Sequence, residues 1–193
     1  MVAQPNRSRM PVEEYLLFDA GSTEARYEFI DGYAYMLAGG TQNHARCSAN
    51  MIRELGNALR NGPCSVYTSD MRVRLSEKRY VYPDVSVSCD PRDLGTDDIL
   101  QYPRLIVEIL SPSTELYDRD KKASYYRACP TIEEYVLVST QRRSIEVYHR
   151  GQGRFWQFSS FGPDDTVELA SLGIRFPIDA IYENVVLPEE PLS

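Results

Sequence analysis

Histidine and tryptophan are scarce in this sequence, and most recognisable catalytic signatures are absent from it. Two histidines, His44 and His149, and one tryptophan occur in 193 residues. A His-rich metal centre therefore cannot be assembled from one chain. There is no G-x-x-x-x-G-K-[ST] phosphate loop, no G-x-S-x-G elbow and no H-E-x-x-H pair. Gly151 and Gly153 begin a G-x-G pattern, but Trp156 fills the third glycine's place. Cys47, Cys64, Cys89 and Cys129 lie far apart, with no C-x-x-C pair. A disulfide framework is not expected in such a chain, and all four read as reduced, mostly buried thiols. No apolar run approaches the ~20 residues of a membrane helix. The stretch from Met1 to Arg9 is polar, so no secretory signal is expected, and a cytoplasmic protein is expected.

What is present is ordinary for a folded domain. Hydrophobic residues make up 42% and charged residues 25%, which excludes wholesale disorder. The net charge of −7 argues against a generally basic nucleic-acid-coating protein, but leaves a local basic face open. The pattern predicts a loose arm over 1–10 and one domain over 11–193.

The elements can be read in order. Pro11–Phe18 predicts a short helix with proline at an early position. Arg26–Ala38 predicts a hairpin around Asp31-Gly32. Cys47, Met51, Leu55 and Leu59 recur every four residues and predict a helix over Thr41–Arg60, capped by Thr41. Strands are expected at Cys64–Leu75, Tyr80–Cys89 and Arg104–Leu110, the last apolar on both faces. A helix over Asp118–Ala128 follows. Strands at Glu134–Ser139, Ser144–Arg150 and Arg154–Ser160 come next, then a closing turn at Ile178–Tyr182. The order predicts a mixed α/β or α+β domain with helices packed on a central sheet.

Three residues break this pattern. Asp84 alternates with Tyr82, Ser86 and Ser88 on one strand face, a polar setting that suits either a ligand or plain solvent. Glu108 interrupts Leu105, Ile106, Val107, Ile109 and Leu110. A carboxylate there is costly unless a metal ion or a buried cation compensates it. Lys122 shares a helix face with Asp118 and Tyr126 at four-residue spacing, which reads equally as a surface pair or as a lysine aimed at the two acids. Two carboxylates and a lysine suit metal-assisted phosphodiester hydrolysis, with Asp84, Glu108 and a nearby carbonyl such as that of Ile109 around Mg²⁺.

The ordered set YEFIDG (Tyr27–Gly32), a helix bearing His44, YPDV (Tyr82–Val85), VEILSPST (Val107–Thr114) and D-x-x-x-K-x-x-x-Y (Asp118, Lys122, Tyr126) resembles the Uma-two family of restriction endonucleases. That family lies within the PD-(D/E)XK nuclease superfamily, and the resemblance covers roughly Val12–His149. It implies a restriction-endonuclease-like central mixed sheet flanked by helices. It implies Asp84 and Glu108 as metal-binding catalytic acids, with Mg²⁺ as cofactor and Mn²⁺ as a substitute. Glu28 would be a further catalytic acid. The superfamily's lysine position, two beyond the second acid, is Leu110 here; the family implies Lys122 instead, with Lys121 as rival. His44 matches the family's helix histidine, which also reads as a core or capping residue. Ser111 and Ser113 match serines that cap the next helix or shape the loop. Arg119, Lys121 and Arg127 form one candidate nucleic-acid-binding patch; Arg72, Arg74, Lys78 and Arg79 form another.

The expected activity is Mg²⁺-dependent DNA cleavage, with a homodimer built on the β-rich tail from Glu134 onward. The alternatives are a nuclease-fold nucleic-acid-binding or interaction module without cutting activity, and a structural domain in which Glu108 and Lys122 form a buried ion bridge.

Overall fold

The computed structural model describes residues 9–95 and 98–188. Most of the arm read over 1–10 therefore lies outside the described residues. Helix α1 (Val12–Gly21) leads into strands β1 (Tyr27–Ile30) and β2 (Tyr33–Met36), then α2 (Gln42–Leu59). Strands β3 (Ser65–Thr68), β4 (Arg72–Ser76), β5 (Arg79–Val81), β6 (Val85–Ser88), β7 (Ile99–Leu100) and β8 (Pro103–Leu110) follow. Helix α3 (Glu115–Tyr117) continues through a π-helical turn (Asp118–Lys122) into α4 (Ala123–Ala128). The chain ends with β9 (Glu134–Ser139), β10 (Ile145–Arg150), β11 (Trp156–Phe161), β12 (Thr166–Leu169) and β13 (Ile174–Pro177).

The strands form two main sheets. The six-stranded mixed sheet runs β11-β10-β9-β8-β6-β3, and the five-stranded sheet runs β2-β1-β5-β4-β7. A separate β12-β13 hairpin completes the set; no strand was expected over this stretch. Strand β8 is the centre of the larger sheet, antiparallel to β6 and parallel to β9. Its odd residues Leu105, Val107 and Ile109 pack with Val85, Val87 and the buried stripe Cys47, Met51, Leu55 and Leu59 of α2. Its even residues Ile106 and Leu110 pack with Ala123, Tyr126, Tyr135 and Leu137. Two packed faces explain why β8 reads as a nearly continuous apolar run.

The β1–β2 turn follows its sequence closely. Asp31 and Gly32 have φ of 51° and 102°, the two positive values that a type I′ turn requires. Thr41 caps α2 by accepting the backbone N–H of His44, as its position before the helix predicts.

Two expected strands are each divided between the sheets. Cys64–Leu75 becomes β3 in the larger sheet and β4 in the smaller one, and Tyr80–Cys89 becomes β5 and β6. The chain crosses back at Tyr82-Pro83-Asp84. Proline has no N–H to give a ladder, so pairing stops there and Asp84 sits at the crossing rather than within a strand. Ser86 and Ser88 are buried, so the polar face expected around Asp84 is not open to solvent.

Cys64 and Cys89 are joined by a disulfide, with Cα atoms 3.9 Å apart, whereas four reduced thiols were expected. The β3–β6 register pairs Ser65 with Ser88 and so sets the two cysteines opposite each other. Their sequence separation of 25 residues carries no hint of this. Cys47 and Cys129 are free and buried. Thiol titration in denaturant without reductant should count two reactive groups per chain, and four after reduction. Four before reduction would contradict the bridge.

Candidate active site

The residues singled out in the sequence meet where the two sheets face each other. The β6–β8 register pairs Val85 with Val107; one step further, Asp84 lies opposite Glu108. Glu108 projects with Ile106 and Leu110 to the face that packs on α4, while Asp84, outside the ladder, turns its carboxylate to the edge of β8 at the Ile109 N–H. Glu28 enters from β1 of the smaller sheet and accepts the backbone N–H of Tyr82 at 3.2 Å.

Lys122 arrives from the helix that follows β8. Its Nζ lies 2.9 Å from Glu108 Oε1, 3.0 Å from Glu28 Oε1 and 3.8 Å from Asp118 Oδ1. Tyr126 donates its hydroxyl to the same Glu108 oxygen. The π turn supports this convergence. Residues four apart on an α-helix drift by about 40°; one wider turn offsets part of that drift, and π turns of this kind recur at functional sites. Asp118, Lys122 and Tyr126 are all buried. The Asp118 carbonyl accepts both the Ala123 N–H and the Tyr135 hydroxyl, which holds the wide turn in place.

Asp84 is fixed by two contacts. Its Oδ2 accepts the Ile109 N–H at 2.7 Å and lies 3.2 Å from His44 Nε2. His44 thus pairs with an acid of the site through its side chain, while its backbone N–H serves the Thr41 cap. The Ile109 carbonyl points to the same strand edge as its N–H, because both groups of a strand residue address one neighbour. Protein hydrogen bonds converge on one oxygen of each acid. Among the described residues, none reaches Glu108 Oε2 or Asp84 Oδ1.

Negative charge exceeds positive charge here. Glu28, Asp84, Glu108 and Asp118 surround one lysine and one histidine. Burial pushes the Glu108 carboxyl pKa upward, and its acidic neighbours add to this against the pull of Lys122. Asp118 is raised for the same first reason. Burial works against the charge on Lys122, but Glu108, Glu28 and Asp118 outweigh it and hold the ammonium well above its ordinary pKa. Burial likewise opposes protonation of His44, and the hydrogen bond to Asp84 overcomes it, so the histidine pKa is raised.

Such an acid excess, with free oxygens on two opposed carboxylates, is a donor set that suits a divalent cation. Among the described residues no three His, Cys, Asp or Glu side chains gather tightly enough for a protein-only cage. Mg²⁺ does not need one, because it typically takes one or two carboxylates and completes its shell with water and substrate oxygens.

The remaining candidates lie elsewhere. Lys121 is exposed while Lys122 is buried, so only the latter enters the cluster. Arg119 is held by Glu115 at 2.8 Å and by Glu146, which occupies its guanidinium. Arg127 is exposed at the end of α4. In the second basic patch, Arg72 is buried beside Tyr82 and Asp19, and Arg79 pairs with Asp31. Ser111 bonds Ser113 and Thr114 within the loop. Two site residues were not assigned from the sequence. Asp118 and Tyr126 were placed on the lysine's face, and the signal that would have promoted them is that shared spacing.

Comparison with known proteins bears on the family and the fold. A family model described as "Putative restriction endonuclease" matches residues 12–179. Two uncharacterized proteins of Synechocystis sp. are similar to the chain. One is 36% identical, covering 92% of this chain and 93% of its own length; the other is 31% identical, covering 83% and 93%. The crystal structure of a "putative nuclease belonging to DUF820" from Anabaena variabilis superposes with a TM-score of 0.76 at 18% identity, over 92% of this chain and 99% of that one. At that identity the likeness concerns the fold, which is the one the sequence resemblance implied. Among the described residues no helix is long and apolar enough to cross a membrane. By the match over most of its length and by these relatives, the chain belongs to the Uma2 family, described as putative restriction endonucleases.

Proposed function

We propose that this chain is a Mg²⁺-dependent endonuclease that hydrolyses phosphodiester bonds in DNA. The observation that carries the reading is the delivery of Lys122, from a separate helix, to within 3.0 Å of Glu28 and Glu108, one residue along β8 from the Ile109 N–H that anchors Asp84. Asp84 and Glu108 would hold the cation, with the Ile109 carbonyl at the same edge. When bound, it would supply Lewis acidity toward water and the phosphoryl oxygens.

The chain's own groups do the rest. Lys122 presents an ammonium that can orient the attacking water or balance charge on the non-bridging oxygens. In hydrolysis, a water oxygen bonds to phosphorus, the P–O bond to the leaving strand breaks, and that oxygen gains a proton. Glu28 and Asp118 position the ammonium. Tyr126 positions Glu108, and His44 with the Ile109 N–H positions Asp84. A homodimer would bring the two such sites that cutting both strands of a duplex requires.

Supercoiled plasmid should be nicked in Mg²⁺ or Mn²⁺ and left intact in EDTA. Asp84→Ala and Glu108→Ala should each lower the rate at least about 100-fold, since loss of partners around a metal commonly costs 10–100-fold. Undiminished nicking in both variants would remove these acids from the mechanism. The non-cutting alternative is separated by calorimetry. Binding of DNA without Mg²⁺ binding would favour a module that only holds nucleic acid.

Stability distinguishes the roles within the cluster. Lys122→Met leaves three buried carboxylates without their cation and should destabilise the fold by about 3–5 kcal/mol. Glu108→Gln removes one of the repelling charges while keeping an acceptor for Lys122 and Tyr126. It should leave the melting temperature unchanged or raised while nicking is lost. A melting temperature unaffected by Lys122→Met would contradict the charge arrangement described above.

A further inference from the structure

A second feature lies on the same sheet face as Glu108, at the far end of α4. Cross-strand registers join Ile106, Tyr135, Tyr148 and Phe158 in one row. The row two residues on joins Glu108, Leu137, Glu146 and Ser160. Rows two residues apart share a face, and so does the next pair, Arg150 and Trp156. Aromatic rings run continuously outward from the site. Tyr126, which bonds Glu108, lies 4.8 Å from Tyr135; Tyr135 lies 6.2 Å from Tyr148, and Tyr148 lies 5.1 Å from Phe158.

This row ends beside an open surface cavity of about 530 Å³ lined by Arg127, Arg150, Arg154, Phe155 and Trp156. Arg150 is committed to the fold. It donates to the carbonyls of Ile132, Arg127 and Cys129, closing the end of α4, and its guanidinium lies 4.5 Å from the centre of the Trp156 ring. Arg127 and Arg154 have no carboxylate partner among the described residues, in a chain whose net charge is −7. Phe155 is 78% exposed beside the cavity, and Phe158, although it meets the Tyr148 ring, is still 56% exposed. Arg127 follows Lys122 by five residues, at the outer end of the same helical segment; it is exposed where Lys122 is buried.

We infer that this arginine–aromatic cavity binds an unpaired nucleic-acid strand next to the cleavage site. Arg127 and Arg154 would take backbone phosphates, and Phe155 and Trp156 would stack on bases. Stacking needs an exposed base face, which a closed duplex does not offer. Charge selects a polyanion, and the aromatic surface selects unpaired over paired DNA. The identity of the ligand rests on the nuclease reading, but the binding does not require cleavage.

Trp156 is the chain's sole tryptophan, so its fluorescence reports on this cavity alone. Titration of the full chain in EDTA with an oligothymidylate of about 15 nucleotides, near the site size of single-strand binders, should quench Trp156 emission saturably. Arg127→Gln combined with Arg154→Gln should weaken the midpoint about tenfold. The same change should flatten the plot of log affinity against log salt by about 1.4, from about 0.7 per lost phosphate contact to a single strand. Phe155→Ala should weaken binding with the salt slope unchanged. Unaltered emission at saturation, an unaltered midpoint and slope in the double variant, or equal quenching by a blunt duplex would each overturn the inference. Quenching without plasmid nicking in Mg²⁺ would retain the cavity's role and remove the nuclease reading. Nicking without quenching would do the reverse.

Discussion

A single buried ammonium holds the functional end of this protein together. Lys122 is the cation that Glu28, Glu108 and Asp118 share, and each acid comes from a different place: the smaller sheet, the larger sheet and the helix itself. Removing a charged amine or carboxylate from water costs several kcal/mol, and only close, well-bonded counter-charges repay it. The cluster therefore ties two sheets and a helix into one arrangement, and it fixes the helix register to a single choice. The π turn at Asp118–Lys122 and its support from Tyr135 belong to the same constraint.

The cluster is not electrically balanced, and this is the physical reason to regard it as more than a structural ion bridge. A bridge built for stability would match its charges or replace them with apolar groups of similar volume. Here burial and mutual repulsion raise the Glu108 and Asp118 pKa values despite the adjacent lysine. Such unfavourable charge concentrations are found where a fold gives up stability for chemistry. The opposed position of Asp84, its anchoring by Ile109 and His44, and the free second oxygens of Asp84 and Glu108 all act in the same direction.

Much of this was legible in the residues. The both-sides-apolar β8 with one acid in it, the four-residue stripe of α2 and the Asp31-Gly32 turn each carry a local signal that tertiary structure did not override. Glu108 stood out because burial made it costly, and Lys122 because its spacing to Asp118 and Tyr126 fixed a face. What stayed hidden depends on pairing between distant segments. Period-2 alternation continues across Pro83, so it cannot show that the strand changes sheets there. The Cys64–Cys89 bridge exists because β3 pairs with β6, a fact absent from either strand alone. Arg119 looked like a free surface cation, but its second partner, Glu146, lies 27 residues away. His44 carried two readings, and only the proximity of Asp84 brings its side chain to the site.

The central claim is that Asp84 and Glu108 hold a divalent cation beside the Lys122 ammonium. The most direct measurement is an anomalous difference map from crystals of the full chain soaked in Mn²⁺. The account predicts one strong peak between the Asp84 and Glu108 carboxylates, with Lys122 still within hydrogen-bonding distance of Glu28. A map with no peak there, or with the metal only at surface carboxylates, would contradict it.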